Sequence, residues 1–185
     1  MMQATQKIPR PQPSEYPSYS SIYMDLVGED KPLLEQLWNN FLELKAFVYG
    51  LPEETLYFRY EEGKWTIKEI LVHLIDDERI FTYRALRYGR NDDTPLHGFD
   101  QDAYALESRA NERSLDDIFK EYESVRKATL TLFENLPEET HLRSGEGIDY
   151  DGSIINKRTV RALAYHIAGH ELRHFNIIKE RYVKL

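Results

Sequence analysis

Three histidines stand at intervals of four residues near the end of the chain: His166, His170 and His174. Residues four apart lie about one turn apart on the same face of a helix, so two such imidazoles can bind one metal ion. Enzymes with the H-E-x-x-H motif bind zinc through this spacing. Two overlapping pairs on one helix therefore predict a metal site that faces the interior of a helical protein.

The apolar residues around these histidines indicate which of them point inward. At about 100° per residue, one apolar stripe runs along the segment. Its members are Val160, Leu163, Ala164, Ile167, Phe175 and Ile178. His174 falls within the stripe, His170 falls on its edge, and His166 falls further round. We therefore predict that His170 and His174 bind the metal and that His166 flanks the site.

A metal site between helices needs a further ligand from a facing helix. His73 lies on the flank of another apolar stripe, one turn before Asp77. Three neutral imidazoles with an open position form the usual platform for catalytic zinc, which can lower the pKa of a bound water to about 7. Asp77 is the predicted catalytic residue, although it could also be a fourth ligand or a hydrogen-bond partner of a ligand. Glu78 is the other acid nearby.

Each of these residues also has an ordinary structural interpretation. A single buried histidine is more often a hydrogen-bonded core residue than a metal ligand. Asp77, Glu78 and Glu171 could be solvated charges on helix surfaces. His97 and His141 fall in or near loops, and we assign them no role.

Four segments carry the hydrophobic periodicity of amphipathic helices. The predicted helices run from about Pro32 to Tyr49, from Thr66 to near Gly89, from Ser114 to just before Pro137, and from about Thr159 to Tyr182. The pairs Thr66 with Glu69 and Ser114 with Asp117 have the spacing of capping boxes. Because no alternating β pattern is comparably strong, we predict an all-α fold, a four-helix bundle.

Residues 1–31 differ in composition from the bundle domain predicted over 32–185. This segment contains Pro9, Pro11, Pro13 and Pro17. These prolines exclude a helix, so we predict an extended arm whose tyrosines pack onto the bundle. A disordered tail is the alternative, although disordered segments are normally poor in aromatic residues.

Two long loops connect the later helices. The loop between the second and third predicted helices has about 24 residues and contains Asp92-Asp93, and the loop before the fourth helix is similar in length. Loops of this length usually cover a site or carry function. A short hairpin is expected in the second loop, around Ile148, Tyr150, Ile154 and Ile155.

Two segments of the chain resemble each other. The string Leu-Pro-Glu-Glu-Thr occurs at 51–55 and again at 136–140, and each copy is followed by a loop and a helix that begins with threonine. In this alignment His73 matches His166, and Glu78 matches Glu171. Duplication of a helical hairpin would make the second and fourth helices pseudo-symmetric partners. Chance is the alternative, since this string is common where helices end.

Composition narrows the classes of partner. The chain has 24 Lys and Arg against 32 Asp and Glu, a formal net charge of -8, which disfavours nucleic acid and anionic lipid. It has no cysteine, which excludes disulfides, a catalytic thiol and a thiolate metal site. We find no signal peptide and no stretch near the ~20 apolar residues of a membrane span. We therefore expect a cytoplasmic protein that acts on a small molecule.

Two motifs resemble those of the DinB/YfiT-like superfamily. The residues from Trp65 to Leu74, followed by Asp77-Glu78, resemble its second-helix signature. The string Ala-Gly-His-Glu-Leu-Arg-His-Phe at 168–175 resembles its closing HxxxH motif. The segment 10–16 is also similar to the N-terminus of one branch.

The resemblance implies a four-helix bundle with one divalent metal ion, often zinc or nickel, bound by His73, His170 and His174. Members are described as metal-dependent hydrolases, some relatives as S-transferases or isomerases that use low-molecular-weight thiols, and many form homodimers. Because this chain lacks cysteine, any reactive sulfur must come from a co-substrate. A non-catalytic bundle that binds metal or protein, and a purely structural bundle, remain the alternatives.

Overall fold

The structure is a computed structural model that describes residues 7–92, 94–149 and 151–183. In chain order its α-helices are α1 (Ser21–Met24), α2 (Leu33–Tyr49), α3 (Ile67–Gly89), α4 (Gln101–Glu107), α5 (Leu115–Asn135) and α6 (Val160–Ile177). Its strands are β1 (Leu96–His97), β2 (Ser144–Ile148) and β3 (Ile154–Thr159). The long helices α2, α3, α5 and α6 form a four-helix bundle, which confirms the predicted fold class.

Side-chain caps fix where three of the long helices begin. At the start of α3, the Thr66 hydroxyl accepts a hydrogen bond from the Glu69 amide at 3.2 Å, and the Glu69 carboxylate accepts one from the Thr66 amide at 2.7 Å. Ser114 and Thr159 cap α5 and α6 through their hydroxyls. Because a capping residue precedes the helix, these helices begin one residue later than predicted. Beyond its last α-helical residue, α6 continues as a π-helical turn to Tyr182.

The helices that a duplication would pair as hairpins, α2 with α3 and α5 with α6, do not pack side by side. Helix α2 packs against α5 and α6, and α3 packs against the same two helices. Helices α2 and α3 therefore occupy opposite corners. The two hairpins expected from a duplication are not formed, because long connections carry the chain across the bundle. The predicted pseudo-symmetric partners, α3 and α6, are nevertheless direct neighbours.

A small three-stranded sheet contacts α3 and α6. Strands β2 and β3 are antiparallel, with Ile148 opposite Ile154, and β1 lies parallel to β2, with Leu96 opposite Gly147. This pairing confirms the predicted hairpin, of which Tyr150 lies outside the described residues, as does Asp93 of the preceding loop. That preceding loop is not irregular throughout, since it contains β1 and α4.

The N-terminal arm lies along α6 and buries apolar side chains against the bundle. Ile8, Met24 and Val27 are at most 3 % exposed. Arg10 stabilises the conformation of the arm by donating hydrogen bonds to the carbonyl oxygens of Met24 at 2.7 Å and Val27 at 2.9 Å. The prediction that the arm contains no helix is wrong for one turn, α1, because that turn begins beyond the last proline, Pro17. Residues 1–6 lie outside the described residues.

One glycine allows the arm to approach α6 closely. A Cβ atom at Gly169 would lie 2.1 Å from the carbonyl oxygen of Tyr23. Only a residue without a side chain therefore permits this contact between backbone and backbone. Within the part of the chain that the structure describes, no helix has the length and apolarity needed to cross a membrane.

A buried arginine connects all four long helices. Arg126 of α5 donates to both carboxylate oxygens of Glu78 in α3, at 2.9 Å each, and to Glu171 in α6 at 3.2 Å. It also donates to the carbonyl oxygen of Leu37 in α2. Arg126 is fully buried, and the two glutamates are 1 % exposed. Tyr122 adds a hydrogen bond to Glu171 at 2.8 Å.

The charges of this network depend on one another. Burial alone would lower the pKa of Arg126, but the carboxylates of Glu171 and Glu78 raise it well above its usual value. Burial raises the pKa of Glu171, while Arg126 opposes that shift. The guanidinium is therefore charged, and removing it would leave two buried acids without a counter-ion.

We predict that Arg126→Met lowers the free energy of unfolding by about 3–5 kcal/mol, because it leaves the buried carboxylates of Glu78 and Glu171 without a counter-ion. Urea unfolding followed by circular dichroism measures the loss. Lys127→Ala is the control on the same helix, since Lys127 is exposed and its one ion pair among the described residues is with Glu123; its effect should stay near 0.5 kcal/mol. Similar losses in both variants would show that the central network contributes little.

We predict that Gly169→Ala lowers the free energy of unfolding by about 1–3 kcal/mol, although alanine is normally favoured in a helix. The added methyl group would displace Tyr23, so hydrogen exchange of amides 20–27 should accelerate. In the control, Gly89→Ala, the methyl group would meet only the side chain of Leu136, which can rotate away. Unchanged exchange in the arm would disprove the close contact.

Candidate metal centre

The side-chain nitrogens of three predicted ligands converge between α3 and α6. The Nε2 atom of His170 lies 3.2 Å from Nε2 of His73 and 3.2 Å from Nε2 of His174. In a tetrahedral zinc site with bonds of about 2.0–2.1 Å, neighbouring nitrogens lie roughly 3.3 Å apart. The spacing therefore fits three ligands of one ion, and the sequence had singled out the same three histidines.

Helix packing brings these imidazoles together. His170 and His174 stand one turn apart on α6, and His73 faces them from the second turn of α3. His73 and His170 are 4 % and 6 % exposed, whereas His174 is partly exposed. The three rings contact one another edge to face, with centroids 4.6–5.0 Å apart.

The environment keeps these imidazoles neutral. Burial lowers the pKa of His170 to about 3, and it also lowers the pKa values of His73 and His174, to which neighbouring histidines add. A neutral imidazole has a free lone pair, which is the form that binds a metal ion.

Asp77 lies behind His170 rather than among the converging nitrogens. Its Oδ2 atom is 3.2 Å from His170 Nδ1 and 3.8 Å from His166 Nε2. The approach to His170 lacks hydrogen-bond geometry, and Oδ2 has no hydrogen bond from the described residues. Burial raises the pKa of Asp77 to about 7, although Arg84 and Arg158 oppose the shift. Of the three predicted roles, orienting a ligand histidine suits this placement best.

His166 forms a second group with Asp77 and His170. One side-chain ligand atom from each lies within 4.8 Å of the others. The His166 ring stacks on Phe81 at 3.9 Å, and Tyr23 of the arm meets it edge-on at 4.7 Å. The apolar stripe predicted that His166 flanks the site, but it did not indicate that the side chain is only 4 % exposed.

A cavity borders His174, one of the three converging histidines. Its volume is about 320 Å³. Its lining includes His174, Tyr60, Trp65, Gln101, Asp102 and Ile177. The Trp65 ring packs against His73, with centroids 4.6 Å apart, and lies nearly parallel to His174. Sequence reasoning missed Tyr60, Gln101 and Asp102, because the loop before α3 and the start of α4 reach the cavity only through tertiary packing. Only the position of Trp65, just before the Thr66 cap, could have indicated one of the wall residues.

The remaining candidate residues lie elsewhere. Glu78 and Glu171 bind Arg126 and do not contact the metal centre, although each directly follows a residue that does. His97 lies in β1, and His141 is buried, with neither ring nitrogen bonded to any described residue. Neither belongs to the two histidine groups.

Comparison with known proteins agrees with this fold. A family profile described as the DinB superfamily matches residues 33–178. A protein of Oceanobacillus iheyensis, named as a candidate metal-dependent hydrolase, is 30% identical over 145 residues, which are 78% of this chain and 82% of that protein.

A solved structure shares the architecture. It is YfiT from Bacillus subtilis, described as a probable metal-dependent hydrolase with an unusual four-helix bundle topology. The TM-score is 0.68 at 19% identity, over 91% of this chain and 95% of YfiT. Since the family profile spans all four long helices and both histidine motifs, the chain belongs to the DinB superfamily.

Proposed function

We propose that this protein is a metal-dependent hydrolase of a small molecule, with zinc or nickel bound by His73, His170 and His174. The observation that supports this most strongly is that His170 Nε2 lies 3.2 Å from Nε2 of both His73 and His174, next to an accessible cavity. Three neutral nitrogen ligands suit zinc or nickel. When bound, the metal would act as a Lewis acid toward a water or a substrate carbonyl.

The surrounding residues would position the ligands and the substrate. Asp77 would hold the His170 ring in the tautomer that leaves Nε2 free, because a carboxylate beside Nδ1 favours a proton there. Trp65 packs on two of the ligand rings and would limit the directions from which water reaches them. His174 is the ligand that borders the cavity, so a substrate would approach from its side.

A non-catalytic metal module is the main alternative. A structural site normally has four protein ligands and is closed to solvent. Here three nitrogens converge, and a cavity large enough for a small molecule borders one of them. This arrangement favours an enzyme. Transfer of a low-molecular-weight thiol would use the same open position, because a metal also lowers the pKa of a bound thiol.

We predict that the protein, purified without a histidine tag, contains about one zinc- or nickel-like ion per chain. His73→Ala, His170→Ala and His174→Ala should each abolish this content, whereas His166→Ala should retain it. Elemental analysis after gel filtration measures the ratio. Loss in His166→Ala with retention in His174→Ala would place the metal in the group formed by Asp77, His166 and His170.

We predict that Asp77→Asn weakens metal binding by about 10–100-fold without changing the stoichiometry at saturation, because it removes the charge that orients His170. Competition with a chromogenic chelator measures the affinity. Glu78→Gln is unsuitable as a control because it breaks the Arg126 network, so Asp76→Asn, one position earlier on α3, serves instead. Equal losses in both variants would argue against a specific role for Asp77.

Activity distinguishes the two reaction classes. We expect metal-dependent hydrolysis of p-nitrophenyl esters that is lost in His174→Ala. Conjugation of a thiol such as cysteine to 1-chloro-2,4-dinitrobenzene, without ester hydrolysis, would instead assign the protein to thiol transfer. Bound metal with neither activity across wider panels would favour the non-catalytic alternative.

A further inference from the structure

Two buried arginines near the sheet have no acidic partner within ion-pair distance among the described residues. Arg84 of α3 and Arg158 of β3 are each 5 % exposed. Within residues 7–92, 94–149 and 151–183, neither guanidinium has a carboxylate oxygen within 4.0 Å. Buried charges in proteins are normally paired, so two unpaired arginines indicate a missing anion.

Their hydrogen bonds leave donors unused. Arg84 Nη2 donates to the carbonyl oxygen of His97 at 3.1 Å, and Arg158 donates to the hydroxyl of Tyr19. The Nε atoms of both arginines are buried and have no partner among the described residues. A buried N–H group of a charged side chain without an acceptor is costly, and an oxyanion would supply the acceptor.

The two guanidinium groups share one neighbour. Their central carbons lie 5.0 Å (Arg84) and 5.6 Å (Arg158) from the ring centroid of Phe81. Burial and the charge of Arg158 lower the pKa of Arg84, and Asp77 only partly opposes them. The region therefore carries an excess of positive charge, which a bound anion would balance.

A cavity gives access to one of these arginines. Its volume is about 440 Å³. Its lining includes Tyr83, Arg84, Arg87, Pro95, Phe99 and Tyr104. Arg87 already pairs with Asp92, so Arg84 is the cation with unused hydrogen-bonding capacity. The Phe99 and Tyr104 rings contact each other at 5.0 Å and form an aromatic wall.

We propose that Arg84, supported by Arg158, binds the carboxylate of an aromatic organic acid whose ring lies in this cavity against Tyr83, Phe99 and Tyr104. The planar fork of a guanidinium matches a carboxylate, and aromatic walls suit an aromatic ligand. This site shares no residue with the three converging histidines, so it stands independently of the proposed hydrolase activity.

Isothermal titration of phenylacetate into the full-length protein tests the proposal, with phenylacetamide as the neutral probe. Phenylacetate should bind and phenylacetamide should not. Arg84→Met should weaken binding by at least about tenfold, as expected when a charge-assisted hydrogen bond is lost. Arg87→Met is the matched control, since Arg87 lines the same cavity but already pairs with Asp92; its effect should stay below about threefold.

An NMR measurement and a titration of the metal-free protein complete the test. If Arg84→Met fails to fold, the ¹⁵Nε signal of Arg84 in the wild-type protein should still shift on adding phenylacetate. A parallel titration after treatment with EDTA should give the same affinity. Equal binding of the two probes, equal losses in both variants, an unshifted Nε signal, or loss of binding with the metal would each overturn the proposal.

Discussion

The charge of Arg126 in the centre of the bundle is the constraint on which the other features depend. A guanidinium buried among four helices is tolerated only if acids are brought to it, and these come from α3 and α6. The two glutamates, Glu78 and Glu171, fix how far each helix is rotated about its axis. An apolar stripe alone would allow a range of rotations, whereas a bidentate ion pair does not.

This rotation also places the metal centre. Asp77 directly precedes Glu78 on α3, and His170 directly precedes Glu171 on α6. Neighbouring residues on a helix point about 100° apart, so when both glutamates face Arg126, Asp77 and His170 are turned to face each other. The 3.2 Å approach of Asp77 to His170 is therefore a consequence of the same packing that binds Arg126. Adjacent residues of α3 and α6 therefore form both the Arg126 network and the candidate metal centre.

The arm adds a second layer over the histidines. Gly169 stands next to His170 and lets the backbone of Tyr23 approach α6, which brings the Tyr23 ring against His166 and His170. The arm therefore contributes to the desolvation that keeps the imidazoles neutral. The arm is fixed to the bundle, because the Glu15 carboxylate accepts hydrogen bonds from Arg161 and Thr159 at the start of α6.

The sequence by itself determined the local features of this protein. Periodicity and capping residues predicted the four long helices to within a few residues, and the spacing of four selected the histidines, because these signals act within one helix. Only the tertiary structure decided that α2 and α3 lie at opposite corners, that Glu78 and Glu171 share Arg126, and which residues of separate segments line the cavity. These features depend on contacts between segments far apart in the chain, such as Arg126 with Glu78 at a separation of 48 residues. A single sequence contains no local pattern that predicts such pairings. They form only when the helices pack, because each buried charge then needs a counter-ion.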